Sequence, residues 1–419
     1  MKRLIIISFL IISIQALFGQ MKSEAYFGVS GRTDNAKDIL EMYDKGYLIS
    51  AAFGQSDSFF GWNIKTDINL ELLYDKVFEY FPSSIALDAA VCDDHGNVYV
   101  TGITIIDDEW PFISKIDSCG NYQWCKILIY EDEYNYGWSN DILLNENNEV
   151  VILVTLIDDE QPADQINMTH LIGLSDEGEV LWKKPYASRN DYSWIRQPQG
   201  NSIMEINNEY YITGKCYWPY PDDTTHWFLR PLFIGIDSTF EEKWILPFAP
   251  LDSVFGRAYK SIPLNDSVFL GAGIRKLPNS LDFSLLMFYT IDGEELGYNE
   301  ILNEQIGPDI NSNEIRNIER INDSLFITTS PFGPDFSENP MGELIIDTAA
   351  NVFNIKSHPN TVSFIPGLIK TYDNNFVIAS NIKESNPAKT DIYVYKIDEN
   401  LNDVPFDPTP LTYDSLCPG

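Results

Sequence analysis

Two cysteines, Cys119 and Cys125, flank Gly120 and Trp124 in the stretch ISKIDSCGNYQWC (113–125). That grouping could serve a redox loop, half a metal site or a covalent staple. A turn from Asp117 to Gly120 puts Cys119 at its tip and Cys125 about four residues down the next strand. At roughly 3.3 Å per residue that separation exceeds the Cα–Cα limit of about 7 Å for a disulfide. Cys92, in AVCDDHGN, falls on the same rim of a sheet, so Cys92–Cys119 is the preferred pair in an oxidising compartment. Cys125 and Cys216 then read as strand thiols, and Cys417 is the odd cysteine of five. His95 is close to Cys92, but no further residue has zinc-ligand spacing, so no metal site is assigned.

The other chemistry-bearing residues are scattered. The chain has four histidines, His95, His170, His226 and His358, which read as turn or loop residues. It lacks HExxH, G-x-S-x-G, a Walker loop and an EF-hand loop. Acidic runs such as IDDE at Ile106 and Ile157 could hold calcium, or face each other as glycosidase carboxylates. Such runs are more often solvated loop faces. One loop is dense in flat side chains: CYWPYPDDTTHWFLR (216–230) carries Trp218, Tyr220, His226 and Trp227, with Trp110 in TIIDDEWPF as a weaker neighbour. Aromatics beside carboxylates suit carbohydrate or peptide contact. The plainer alternative is that they cap a sheet edge.

The elements that carry these residues repeat. An apolar strand recurs as GYLISAA, NVYVTGI, EVVILVT, EYYITGK, SVFLGAG, SLFITTS and NFVIAS. Each is followed by a second strand ending in a turn, anchored at Asp67, Asp117, Ser175, Asp237, Asp292, Asp347 and Asp398, which lie 50, 58, 62, 55, 55 and 51 residues apart. Gly, Asn and Asp turn signals bound strands rich in β-branched and aromatic residues, with no 3.6-residue apolar period of useful length. The expectation is an all-β fold: a seven-bladed β-propeller over residues 20–407, with four-stranded antiparallel blades. The segment around Tyr26 to Val29 is expected to complete the last blade, and 408–419 to form an extended tail. Trp124, Trp182 and Trp244 each lie seven residues past an anchor, where an aromatic packs between blades.

The N-terminus, MKRLIIISFLIISIQALFGQ, has the layout of a signal peptide over residues 1–19. Export follows as an expectation, to the medium or the outer cell surface, with no later membrane span. The chain carries 62 acidic against 28 basic residues, a net charge of −34. A field of that sign repels nucleic acid, and the expected partner is a carbohydrate or protein ligand met by a monomer.

The units GNVYVTGITIIDDEWPFISKIDSCGNYQW and LIGLSDEGEVLWKK resemble the repeats of secreted bacterial propeller proteins of the SBBP-type and quinoprotein-like families. The leader, the acidic chain and the TYDSLCPG ending are similar to surface proteins of the type IX secretion pathway, which continue into a C-terminal sorting domain. The cofactor and calcium ligands of a quinoprotein enzyme find no match here. The sialidase Asp-box also fails at Gly178, where Leu174 and Leu181 stand at its serine and tryptophan positions. Three functions stay open: a binding or adhesion scaffold, a glycan-active hydrolase or lyase using ring-facing carboxylates, and a support for a further C-terminal module. Two or more carboxylates converging with Arg or Tyr in one pocket favour the second, and a flat aromatic rim favours the first.

Overall fold

The computed structural model describes residues 22–55, 58–78, 84–106, 108–130, 133–158, 167–188, 195–220, 223–248, 255–276, 282–333, 340–384, 389–409 and 411–413. Apart from the single-turn helix Asn303–Ile306, their regular elements are β-strands. The strands follow one another as antiparallel meanders of four, here called A to D. Unit one comprises Thr33–Glu41, Tyr47–Gln55, Ser58–Thr66 and Leu72–Val77. Unit two comprises Ser84–Cys92, Val98–Ile106, Asp108–Ile116 and Tyr122–Ile127. Units three, four and five repeat this order over 136–186, 196–247 and 255–301. In unit six strand A is broken into Ser312–Asn313 and Asn317–Arg320.

Unit seven has three strands of its own, Thr361–Lys370, Phe376–Lys383 and Thr390–Ile397. Its fourth comes from the other end of the chain. Glu24–Phe27 pairs antiparallel with Thr390–Ile397, with Tyr26 opposite Tyr393 and stacked on it at 4.8 Å. The strand begins two residues earlier than the sequence suggests. Among the described residues after Asp398 the β-pairing is limited to isolated bridges, Ile397 to Asp403 and Lys22 to Pro405.

Burial explains the strand sequences. Strand B of unit three, VVILVTLI, is buried at every position, because sheets cover both its faces. Strand D of unit six, VFNIKS, is half-buried to exposed and lies at the outer edge of its unit.

One turn recurs between strands C and D. In unit two Asp117 Oδ1 accepts the N–H groups of Cys119 and Asn121, and Gly120 closes the turn at φ +75°. The same double acceptance occurs at Asp67, Ser175, Asp237, Asp347 and Asp398. In unit five the anchor is Thr290, whose hydroxyl accepts from Glu294, and not Asp292. A hydroxyl does a carboxylate's work there, which the Asp pattern hides. Three residues past each anchor the backbone is left-handed, at Leu70, Gly120, Gly178, Phe240, Gly293, Ala350 and Leu401.

The tryptophans pack where expected. Trp124 lies over Gly178 of unit three and donates to the Asp176 carbonyl at 2.9 Å. Trp182 meets Phe240 of unit four at 3.8 Å between centroids, and Trp244 lies over Gly293 of unit five and donates to Ile291. Each D strand thus covers the next unit's turn.

A Cβ at Gly178 would stand 2.9 Å from the Trp124 ring at a φ of +80°, whereas one at Gly31, φ +84°, meets nothing within 4 Å. Urea titration is expected to show Gly178→Ala costing about 2–4 kcal/mol and Gly31→Ala about 1 kcal/mol. Equal costs would remove the ring contact from the account.

Candidate functional site

Strand A carries a β-bulge at the same place in five successive units. The pairing to strand B skips one residue between Ala36 and Asp38, Leu87 and Ala89, Ser139 and Asp141, Gly200 and Ser202, and Ala258 and Lys260. The skipped residues are Lys37, Asp88, Asn140, Asn201 and Tyr259. A bulge bends its strand and re-aims one side chain out of the alternating pattern. All five line a single cavity of about 450 Å³, joined by Arg316 from the break in strand A of unit six. Glycines on strand B make room for the bend. A Cβ on Gly102, Gly214 or Gly273 would lie 2.0 Å from the carbonyl oxygen of Ala86, Gln199 or Arg257.

The cavity is cationic in an acidic chain. Lys37, Lys215, Arg257 and Arg316 line it with one carboxylate, Asp88, and with Trp138 and the amides of Gln199, Asn140 and Asn201. Lys37 stands 3.6 Å from Asp88, whose burial raises its pKa while Lys37 opposes the rise. Glu314 is fully buried behind the wall. Tyr259 donates its hydroxyl proton to Glu314, and the Arg257 and Arg316 guanidinium groups approach that carboxylate at 3.6 and 3.3 Å. Each of these arginines still keeps a buried Nε with no hydrogen-bond partner. Lys215 is held below the usual lysine pKa, first by burial and then by Arg257. Four cationic side chains around one space, with Asp88 the single carboxylate on its lining, favour an anion there.

Three residues just past the bulges, Asp38, Asp141 and Lys260, carry partly buried polar contacts of their own. Asp38 accepts the Ala90 N–H of unit two and Asp141 accepts the Ile203 N–H of unit four, stitching neighbouring A strands. Lys260 reaches Asn317 and Glu319 at 2.9 and 2.8 Å. Burial pushes Asp38 up to about 6 and Asp141 up to about 7. Burial opposes the Lys260 charge, yet Glu319, Asp141 and Asp38 raise its pKa.

The residues singled out in the sequence fare differently. Trp110 is 2% exposed and belongs to the core, so it offers no face to a ligand. Trp218 packs against the buried cluster around Cys216 and Ile195, and the Arg196 guanidinium lies 3.4 Å above the Trp227 ring. The stretch between them is an extension of the B–C hairpin, paired out to Tyr220 and Asp223, and not an open loop. The side chains of Tyr220 and His226 lie outside the described residues. His170 and His358 are buried rather than solvated. His170 Nε2 is 2.9 Å from the Tyr134 hydroxyl with its pKa lowered by burial to about 4, and His358 contacts buried Glu343 at 2.9 Å.

Cys92 is a free thiol directed to the Glu41 carbonyl of unit one. Cys119 is disulfide-bonded, with a partner outside the described residues. The expected Cys92–Cys119 pair is therefore absent, because Cys92 turns toward the preceding unit while Cys119 stays at its turn tip. Among the described residues no group of three or more His, Cys, Asp or Glu is placed to hold a metal ion. No described helix is long and apolar enough to cross a membrane.

Sequence reasoning missed the cavity lined by the bulges. Its trace was the glycine shared by NVYVTGI, EYYITGK and SVFLGAG, a strand glycine that marks close approach of a neighbouring backbone.

No family model and no curated protein matches the chain. Solved structures do. An ulvan lyase described as a new polysaccharide lyase family, PL25, aligns at TM-score 0.55 and 10% identity over 91% of this chain and 96% of that one. The fold is propeller-like and all-β. A protein of unknown function from Dyadobacter fermentans DSM 18053 aligns at TM-score 0.46 and 9% identity, covering 90% and 97% of the two chains. The N11 neuraminidase-like protein of influenza A/flat-faced bat/Peru/033/2010 (H18N11) aligns at 0.44 and 12%, covering 92% of each.

Asp141 supplies a pH test. Its pKa lies above the ordinary 3.8 when folded, so the fold binds its proton more tightly. That contribution is complete below 3.8 and is lost as pH rises through about 7. Asp141→Asn cannot lose it. The stability deficit of the variant against wild type, read by denaturant midpoint, is expected to shrink by about 2–3 kcal/mol between pH 5 and pH 8. A constant deficit would contradict the assignment.

Proposed function

We propose that this protein is an exported seven-bladed propeller that engages an acidic saccharide at its axial mouth. Each four-stranded unit is a blade, and Glu24–Phe27 completes the seventh and closes the ring. The leader-like N-terminus supports export, and the repeat and tail resemblances support a place on the outer cell surface.

The observation that carries the reading is the convergence of Lys37, Lys215, Arg257 and Arg316 on one cavity whose lining holds a single carboxylate, Asp88. A sugar carboxylate offers the two acceptors such donors fit. Trp138 supplies a flat face for a pyranose ring, and Asn140, Asn201 and Gln199 supply amides for its hydroxyls. The likeness to the ulvan lyase concerns the fold, and that protein's printed substrate class suggests which saccharides to try first.

A second reading, cleavage of the bound glycan, draws support from the Tyr259–Glu314 pair and from Lys215, a lysine whose lowered pKa suits proton transfer. Both readings share one site, and product analysis in the same samples separates them.

Isothermal titration of residues 20–419 with glucuronate and galacturonate oligosaccharides is expected to show binding that neutral counterparts lack and that salt weakens. Arg257→Gln and Lys215→Met should each weaken it about tenfold, the loss of one charge-assisted hydrogen bond. Equal binding of neutral and acidic sugars, or wild-type affinity in both variants, would contradict the proposal.

A further inference from the structure

A second cavity, of about 260 Å³, lies between units one and two. Phe59, Ile85, Ile103 and Ile105 supply most of its wall, with Lys37 at one end and Glu109 also on the lining. Phe59 and Ile105 are 46% and 42% exposed, an unusual state for large apolar side chains facing each other across a seam. One hydrogen bond bridges the two units beside the groove, the Phe59 N–H donating to Ser84 Oγ at 3.2 Å.

This groove adjoins the axial mouth, because Lys37 and Ile103 line both cavities. Lys37 suits the junction: its ammonium is turned to Asp88 while its aliphatic stem is free to border apolar space. We infer that the groove between units one and two receives the apolar aglycone, aryl or short alkyl, of the acidic saccharide whose carboxylate occupies the axial mouth. The inference rests on the proposed function and narrows its ligand class to acidic glycosides with an apolar substituent.

Charge and shape fit that occupant better than a free sugar. A hydroxyl-rich ring in the groove would find few partners to spare, since Ser84 Oγ already accepts the Phe59 N–H, Asn35 Oδ1 the Thr390 hydroxyl, and Lys37 is turned to Asp88. An aryl group loses nothing comparable and covers Phe59 and Ile105.

The test compares methyl β-glucuronide with para-nitrophenyl β-glucuronide by titration calorimetry on residues 20–419. The aryl glycoside is expected to bind about tenfold more tightly, the gain from burying part of one ring. Phe59→Ser and, separately, Ile105→Asn should bring that ratio close to one and leave the methyl glycoside's affinity unchanged. Both residues are substantially exposed, so either variant should keep the fold. A ratio near one in wild type, with the methyl glycoside bound, would overturn the groove alone. Absence of binding by either glycoside would overturn the axial site and the groove with it. A dimer dissolved by Phe59→Ser, with the aryl ratio unchanged, would assign the groove to a second copy of the chain and overturn the inference as well.

Discussion

The structure depends on a turn that cannot stand alone. An Asp, Ser or Thr side chain holds the C–D turn by taking up backbone N–H groups, and the next positions drive one residue into left-handed backbone. That leaves a small, flat platform at the turn. In units three and five the platform is glycine and a tryptophan from the preceding unit lies on it; in unit four it is Phe240 and the partner ring is Trp182. Unit two follows the same plan with Tyr74 over Gly120. Later contacts become polar: Asn299 donates to Thr348, and Asn354 to Asn400. Each unit is thus finished only by its neighbour, as expected of repeats that cannot bury their faces singly.

Fixing the outer turns has consequences at the inner strands. Units held at a set spacing bring their A strands together, and the room there is small. The bulges and the strand-B glycines are how the chain meets that constraint, and they turn Lys37, Asp88, Asn140, Asn201 and Tyr259 into a common space. Beneath it, Asp38 and Asp141 tie neighbouring backbones together at the expense of being charged in a dry place. The polar mouth is a product of the packing geometry, and its cationic character comes from a few substitutions on that frame.

The repeat was legible in the sequence because turn chemistry is local: an Asp followed by a left-handed residue needs no distant partner to be recognised. Trp124, Trp182 and Trp244 were legible for the same reason, their offset from the anchor being fixed by the hairpin. Thr290 was missed because a hydroxyl replaces the carboxylate two residues earlier than the apparent anchor. The site was not legible. Lys37, Lys215, Arg257 and Arg316 are far apart in sequence and reach the cavity from a bulge, a B strand, an A strand and a strand break, so no single local pattern marks them. The partners of the aromatic-rich hairpin were not legible either, since Trp218 packs on a cluster that includes Ile195 and Trp227 lies under Arg196, both from outside the hairpin.

The central claim is that the axial mouth holds the acidic group of a saccharide, and a crystal structure of the protein with a glucuronate oligosaccharide tests it most directly. The account requires the carboxylate within hydrogen-bonding distance of the Arg257 or Arg316 guanidinium group or of Lys215 Nζ, with a sugar ring beside Trp138. A saccharide seated on the hairpin of Trp218 and Trp227, with the axial mouth filled by water alone, would contradict it.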